Sequence, residues 1–322
     1  MSDPIYEKLK EYEKKGVLPM HMPGHKRRVG DFPHLPSDAC SVDITEIDGF
    51  DDLGDPRGII KESEEIASRL WGSKRTFYSV NGSTACVLAA ICALCPPGGR
   101  AVVARNCHKS VYSALELFDI TPVFVLPETA ADGDGGSVTP EAVDDALRSA
   151  PDASVVIVTS PTYGGIISDI RGIVRAARAR GVPVVVDEAH GAHLGLHPFF
   201  PEGAVACGAD VVIHSLHKTL ASLTGTAALH VCGELKDADA IGRMMAAFVT
   251  SSPSYILLSS IDGEVRRLAK SGGRLARWAA ALEKMRDDLA VSASFRPRTA
   301  RPTGRLSPPI RRRSRSTARG RD

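Results

Sequence analysis

The chain has 322 residues, 43% of them hydrophobic and 24% charged, with a formal net charge of +2. This is ordinary globular composition with enough apolar residues for a sizeable core, and no apolar run is long enough to span a bilayer. Seven cysteines, an odd number scattered along a large chain, argue against a disulfide framework.

Residues 1–16 are charged and amphipathic without an apolar signal core, so a soluble cytoplasmic protein is expected. A helix is predicted over 59–71, with apolar residues at Ile59, Ile66 and Leu70. Short β-branched runs then alternate with helical stretches. Strands are predicted at 76–80, 101–104, 122–126, 155–159, 182–187, 211–214 and 226–231, and helices at 83–95, 110–118, 139–149 and 170–180. Several strands are almost wholly apolar, as strands covered on both faces are. The alternation predicts an α/β layered domain with a mostly parallel, seven-stranded sheet. Cys92 and Cys95 form a CxxC, but inside an apolar helix, where core packing is the expected role. Further helices are predicted at 237–248 and 259–290, the second a long connecting helix. Residues 292–322 carry ten Arg, no Lys and one acidic residue, a net of +9, against 30 basic and 37 acidic residues elsewhere, a net of −7. With almost nothing to bury, that tail is expected to be disordered.

Ligands of parallel α/β sheets sit beyond the carboxyl ends of the strands, and four segments fall there. In Val80-Asn-Gly-Ser-Thr-Ala85 a strand ends and a helix opens, so free N–H groups with the Ser83 and Thr84 hydroxyls form either a phosphate cup or a plain helix cap. His108, between a strand and a helix, is either a ring that stacks on a planar ligand or a surface histidine. Asp187 ends a buried strand, where a carboxylate calls for a cationic partner, a protonated pyridine nitrogen or a metal. Lys218 follows Ser215 and His217 just past a strand, as a desolvated amine nucleophile or a solvated charge. Phosphate cup, ring, buried carboxylate and lysine arrive in that order, and pyridoxal 5′-phosphate (PLP) needs all four.

The sequence resembles the Orn/Lys/Arg decarboxylases, PLP enzymes with the aspartate-aminotransferase fold. The resemblance spans roughly residues 18–289 and rests on eight ordered motifs: Met20-His-Met-Pro-Gly-His-Lys26, Asp43-Ile-Thr-Glu-Ile-Asp-Gly-Phe-Asp-Asp-Leu53, Asn81-Gly-Ser-Thr84, Asn106-Cys-His-Lys109, Ser160-Pro-Thr-Tyr-Gly164, Asp187-Glu-Ala-His-Gly-Ala-His193, Ser215-Leu-His-Lys218 and Thr250-Ser-Ser-Pro-Ser254. Their form is most similar to the shorter members, which lack an N-terminal wing domain. The resemblance implies a three-layer, PLP-dependent-transferase-like large domain over 59–250. It implies an N-terminal segment, 1–58, that lines the active site, and a connecting helical segment over 251–291.

By position, it implies that Lys218 forms the Schiff base with PLP, Asp187 pairs with the pyridinium nitrogen and His108 stacks on the ring. Ser83, Thr84, Ser215 and His217 would bind phosphate, and His190 would help to place cofactor or substrate. Thr250, Ser251 and Ser252 would reach the phosphate of the neighbouring subunit of a homodimer. The implied reaction is α-decarboxylation of a basic amino acid, with CO2 and a diamine or agmatine, polyamine precursors, as products.

Three rival functions have weaker support. His190, His193 and His197, with His214 and His217, could be metal ligands, but the first three follow a strand through glycines rather than sharing a helix face, and no metal is expected. The fold also hosts transamination and lyase chemistry. The Arg-rich tail could contact nucleic acid or a membrane surface, but its abrupt Arg, Pro, Ser and Thr composition reads as a shifted frame, and neither partner is expected. The small C-terminal domain of the family has no counterpart after Leu289, so an incomplete substrate pocket and impaired activity are expected.

Overall fold

The computed structural model describes residues 4–31, 34, 36–128, 136–237 and 239–291. The Arg-rich tail lies outside the described residues. In chain order the elements are α1 (Ile5–Lys14), α2 (Ser37–Val42), α3 (Ile59–Trp71), β1 (Arg75–Ser79), α4 (Gly82–Leu94), β2 (Arg100–Ala104), α5 (Lys109–Leu117), β3 (Thr121–Val125), α6 (Pro140–Ser149), β4 (Val155–Thr159), α7 (Ile170–Arg178), β5 (Val184–Asp187), β6 (Val211–Ser215), α8 (Leu216–Thr219), β7 (Ala227–Val231), α9 (Ala240–Phe248), α10 (Tyr255–Lys270) and α11 (Gly273–Val291).

The seven strands form one sheet in the order β1-β7-β6-β5-β4-β2-β3. Only β7 is antiparallel, to both β1 and β6, so the other six end on one edge and β7 begins there. The register sets Thr159 beside Asp187 and Ser215 beside Ala227, which is also paired with Ser79. That edge gathers the segments singled out from the sequence.

Successive strand residues point to opposite faces, and the core divides accordingly. Phe77 and Leu229 join a cluster with Cys86, Ile91, Ile241 and Met245 of α4 and α9. Their neighbours Tyr78 and Ala228 join a second cluster with Ile60 and Ile66 of α3, Leu258 and Ile261 of α10, and Ile5 and Leu9 of α1. The sheet is thus the middle of three layers. Local chemistry sets the helix ends: Gly72 takes φ 80° at the end of α3, and the Thr139, Asp169 and Ser254 side chains accept N–H groups at the starts of α6, α7 and α10.

The expected long helix over 259–290 is two helices. α10 begins earlier, at the Ser254 cap, and ends at Lys270, where Ser271 is extended and Gly272-Gly273 follow. Glycine pairs are poor helix formers, and the break turns the chain. Cys95 is buried in the core as expected, while Cys92 is only half-buried.

Glu64 of α3 is buried and accepts the Tyr78 N–H at 3.0 Å. Burial pushes its carboxyl up from 4.5 to about 8. Between those values the folded chain holds a proton that the unfolded chain releases, so this group's stabilisation is full below 4.5 and lost as pH rises to about 8. Glu64→Gln should flatten that part of the pH dependence, read as the difference in urea midpoint between about pH 5 and about pH 8 for variant and parent.

Candidate active site

Four strand ends and the start of β7 build the site. β1 runs into Asn81 and Gly82; Gly82 has φ +72°, where a side chain would be strained, and its N–H donates to Gly225 O at 2.7 Å. α4 opens there with no side-chain cap from Asn81, so its first-turn N–H groups are available to an anion. The Ser215 hydroxyl donates to Ser83 Oγ at 2.9 Å, tying the end of β6 to this helix start.

His217 Nδ1 lies 2.9 Å from Thr226 O, an acceptor, so Nδ1 carries the proton. Only the doubly protonated ring could therefore offer Nε2–H to a phosphate. Thr250 N donates to Asn81 Oδ1 at 3.2 Å, so within one chain the exposed segment 250–252 borders that chain's own helix start.

His108 is the N-cap of α5, and its Nδ1 accepts Ser110 N–H at 3.2 Å and lies 2.9 Å from Ser110 Oγ. This fixes an exposed ring at the end of β2. Asp187 is buried at the end of β5, where Ala189 N–H donates to Oδ1 at 3.1 Å and, among the described residues, no donor reaches Oδ2. Burial pushes its carboxyl up, against the Ala189 bond and the positive charge of Lys218. Lys218 Nζ lies 3.1 Å from His190 Nε2. Burial and then the Lys218 charge hold the His190 imidazole below its ordinary value, favouring a neutral ring that accepts from the amine.

These residues fit PLP. A pyridinium N–H would give Asp187 Oδ2 both a donor and the positive charge that burial calls for. The uncapped start of α4, with Ser83, Thr84 and Ser215, suits the phosphate. Lys218 supplies an amine on the same edge.

The histidines read from sequence as a metal alternative go to different places. His193 packs edge-on against Phe200 at 4.7 Å and near Trp278 at 4.7 Å, while His214 is buried against Glu188. Among the described residues no group of three or more His, Cys, Asp or Glu side chains could hold a metal ion.

Three residues at the site were not among those expected from the sequence. Tyr163 is 93% exposed and edge-on to His190 at 5.7 Å; its only sequence signal was membership of the Ser160–Gly164 motif. Gly225 and Thr226 reach the site because β7 runs antiparallel, which composition does not encode. In the N-terminal segment His25 Nε2 lies 3.2 Å from Asp43 Oδ2, joining the Met20–Lys26 and Asp43–Leu53 motifs. Asp51 instead serves α3, accepting N–H groups of Arg57, Gly58, Ile60 and Lys61.

A mostly parallel seven-stranded sheet with helices on both faces and a lysine beyond one strand end is the large-domain architecture of fold type I PLP enzymes. Lysine decarboxylase A from Pseudomonas aeruginosa has the same fold, with a TM-score of 0.74 at 21% identity over 89% of this chain and 42% of that one. The chain belongs to the Orn/Lys/Arg decarboxylase family, whose major-domain model matches residues 3–297. Arginine decarboxylase of Bacillus subtilis (strain 168) is 36% identical over 85% of this chain and 57% of its own length. Arginine decarboxylase of Halalkalibacterium halodurans is 37% identical over 89% and 60%. The chain thus spans little more than half the length of these relatives.

Proposed function

We propose that the chain binds PLP covalently through Lys218 and serves the α-decarboxylation of arginine, lysine or ornithine, giving CO2 and an amine that enters polyamine formation. The observation that carries this is Asp187, buried with a free Oδ2, on the same sheet edge as Lys218 and the uncapped start of α4. When bound, the cofactor supplies an electron sink for the bond broken at the substrate α-carbon. Asp187 sets a negative charge against the ring nitrogen and so keeps its proton in place. His108 covers one ring face. Ser83, Thr84, Ser215 and His217 hold the phosphate, joined by Thr250, Ser251 and Ser252 of a second copy in a homodimer. His190 accepts a hydrogen bond from Lys218 Nζ and so holds the amine towards the cofactor aldehyde. The relatives named arginine decarboxylase support arginine first among the three substrates.

The test is to load purified protein with PLP, reduce with borohydride, map the adduct, and measure CO2 from the three amino acids. An adduct at Lys218 with CO2 release is expected. An adduct with loss of the α-amino group and no CO2 from any of them would replace decarboxylation by transamination.

His108→Ala is expected to weaken PLP binding about 3- to 10-fold, since ring stacking is worth ~0.5–1.5 kcal/mol. Absorbance titration of the cofactor-free protein would measure it.

A further inference from the structure

The side chains behind the site form a polar line that the proposed chemistry does not use. Ser215 turns to Ser83 in the α4 layer, while its neighbour His214 turns to Trp71 in the α3 layer. From His214 the line runs both ways. His214 Nε2 lies 2.8 Å from Oε2 of Glu188, the residue after Asp187. His214 Nδ1 lies 3.0 Å from His230 Nε2, and His230 Nδ1 lies 2.9 Å from Thr76 Oγ1. Thr76 Oγ1 is 3.0 Å from the hydroxyl of Ser73, on the half-exposed turn after α3. Glu188 Oε1 accepts Ala204 N–H at 2.9 Å. Trp71 lies against both imidazoles, 5.5 and 5.0 Å away, and its Nε1–H donates to Ala192 O.

Glu188, His214, His230 and Thr76 are no more than 2% exposed. They come one each from the residue after β5 and from β6, β7 and β1, four neighbouring strands, and because β7 is antiparallel the line runs from Glu188 and His214 at the site edge to His230 and Thr76 towards the opposite end of the sheet. We propose that these four are positioning residues: one uncharged hydrogen-bond line, with the Glu188 carboxyl protonated, that fixes the spacing of Asp187, Ser215 and Lys218 on the sheet edge. This rests on the assignment of that edge to PLP.

The protons can be placed. Glu188 O–H donates to His214 Nε2, His214 Nδ1–H to His230 Nε2, His230 Nδ1–H to Thr76 Oγ1, and Thr76 O–H to Ser73 Oγ. An ionised Glu188 would reverse every step, with each imidazole protonated at Nε2. Charge decides between the two. No Lys or Arg among the described residues pairs with Glu188, and a buried carboxylate without a cation is costly where a neutral acid is not. Burial acts in the same sense on each partner, raising the Glu188 carboxyl and holding His214 down at about 3 and His230 well below its ordinary value, so both rings are neutral.

Nitrogen-15 histidine spectra of the cofactor-free parent, assigned with His214→Gln and His230→Gln, read the line directly. Nδ1–H on both rings is expected; Nε2–H on both, or an imidazolium, overturns the proposal. PLP titration then tests positioning. Glu188→Gln keeps an acceptor for Ala204 and a donor for His214, and is expected within about threefold of the parent. Glu188→Leu fills the space but breaks the line, and is expected to bind on the order of 10-fold more weakly or not to fold, with Glu188→Gln still folded. Parent-like binding by Glu188→Leu, or equal losses in both variants, overturns the proposal. A parent that forms no adduct at all defeats the PLP assignment instead, while the tautomers still decide the state of the line.

Discussion

Lys218→Ala is expected to abolish the borohydride-trappable PLP adduct, a loss of covalent occupancy of more than about 10²-fold. Lys218 is placed for this by backbone rather than by side-chain packing. β6 ends at Ser215, α8 is a single turn, and Leu216 is buried among Tyr255, Leu258 and Ala228, so the amine two residues later is carried out to the edge. Among the described residues Nζ has one hydrogen-bond partner, the neutral acceptor His190, and Asp187 supplies the nearby negative charge. Among the described residues no other lysine follows a strand on that edge beside Asp187; Lys109 opens α5 and is exposed. The measurement is peptide mapping of reduced parent and variant. Because PLP also modifies surface lysines slowly, the comparison uses one equivalent of cofactor. A stoichiometric adduct retained in Lys218→Ala would show that the amine has been misassigned.

Much of this edge was legible because central strands advertise themselves. Val155–Thr159 is buried on both faces and reads as an unbroken apolar run, so its limits coincided with those expected. Glycine, hydroxyl and charged residues beyond such runs then marked the ligand side. What was illegible depended on where the chain returns in space. Strand direction is not written in composition, so nothing marked Gly225 and Thr226 as partners of Gly82 and His217. The line from Glu188 to Thr76 was hidden for the same reason. Its members are 154 residues apart between Thr76 and His230 and 26 between Glu188 and His214, and of its two histidines His214 was read as a possible metal ligand while His230 was not singled out. The break between α10 and α11 was written locally, in Ser271-Gly272-Gly273, but lay inside a helical charge pattern that ran across it.

Asp187→Asn should separate stability from chemistry. In the cofactor-free chain the buried carboxyl has its value raised above 3.8. The folded state therefore holds a proton more tightly than the unfolded state, and this group's stabilisation is present at low pH and lost as pH rises past the ordinary carboxylate range. Where it is ionised the group is a burden, since a buried charge short of partners costs ~1–3 kcal/mol. An amide keeps an acceptor for Ala189 N–H and never ionises. The variant should accordingly melt about 2–4 °C above the parent when both are cofactor-free. With PLP bound the balance reverses. The pyridinium would supply the charge that the carboxylate lacks, and a neutral amide cannot hold the ring nitrogen protonated. Cofactor retention should fall modestly, because phosphate contacts and Lys218 are intact. CO2 release per bound cofactor should fall by about 10²-fold or more, the equivalent of ~2.7 kcal/mol in the barrier. Calorimetry on the cofactor-free pair and CO2 release on the loaded pair, normalised to bound PLP, measure the two halves. Equal turnover by variant and parent would remove Asp187 from the site's chemistry. A lower melting temperature in the cofactor-free variant would mean that the carboxylate already has a compensating partner inside the folded chain.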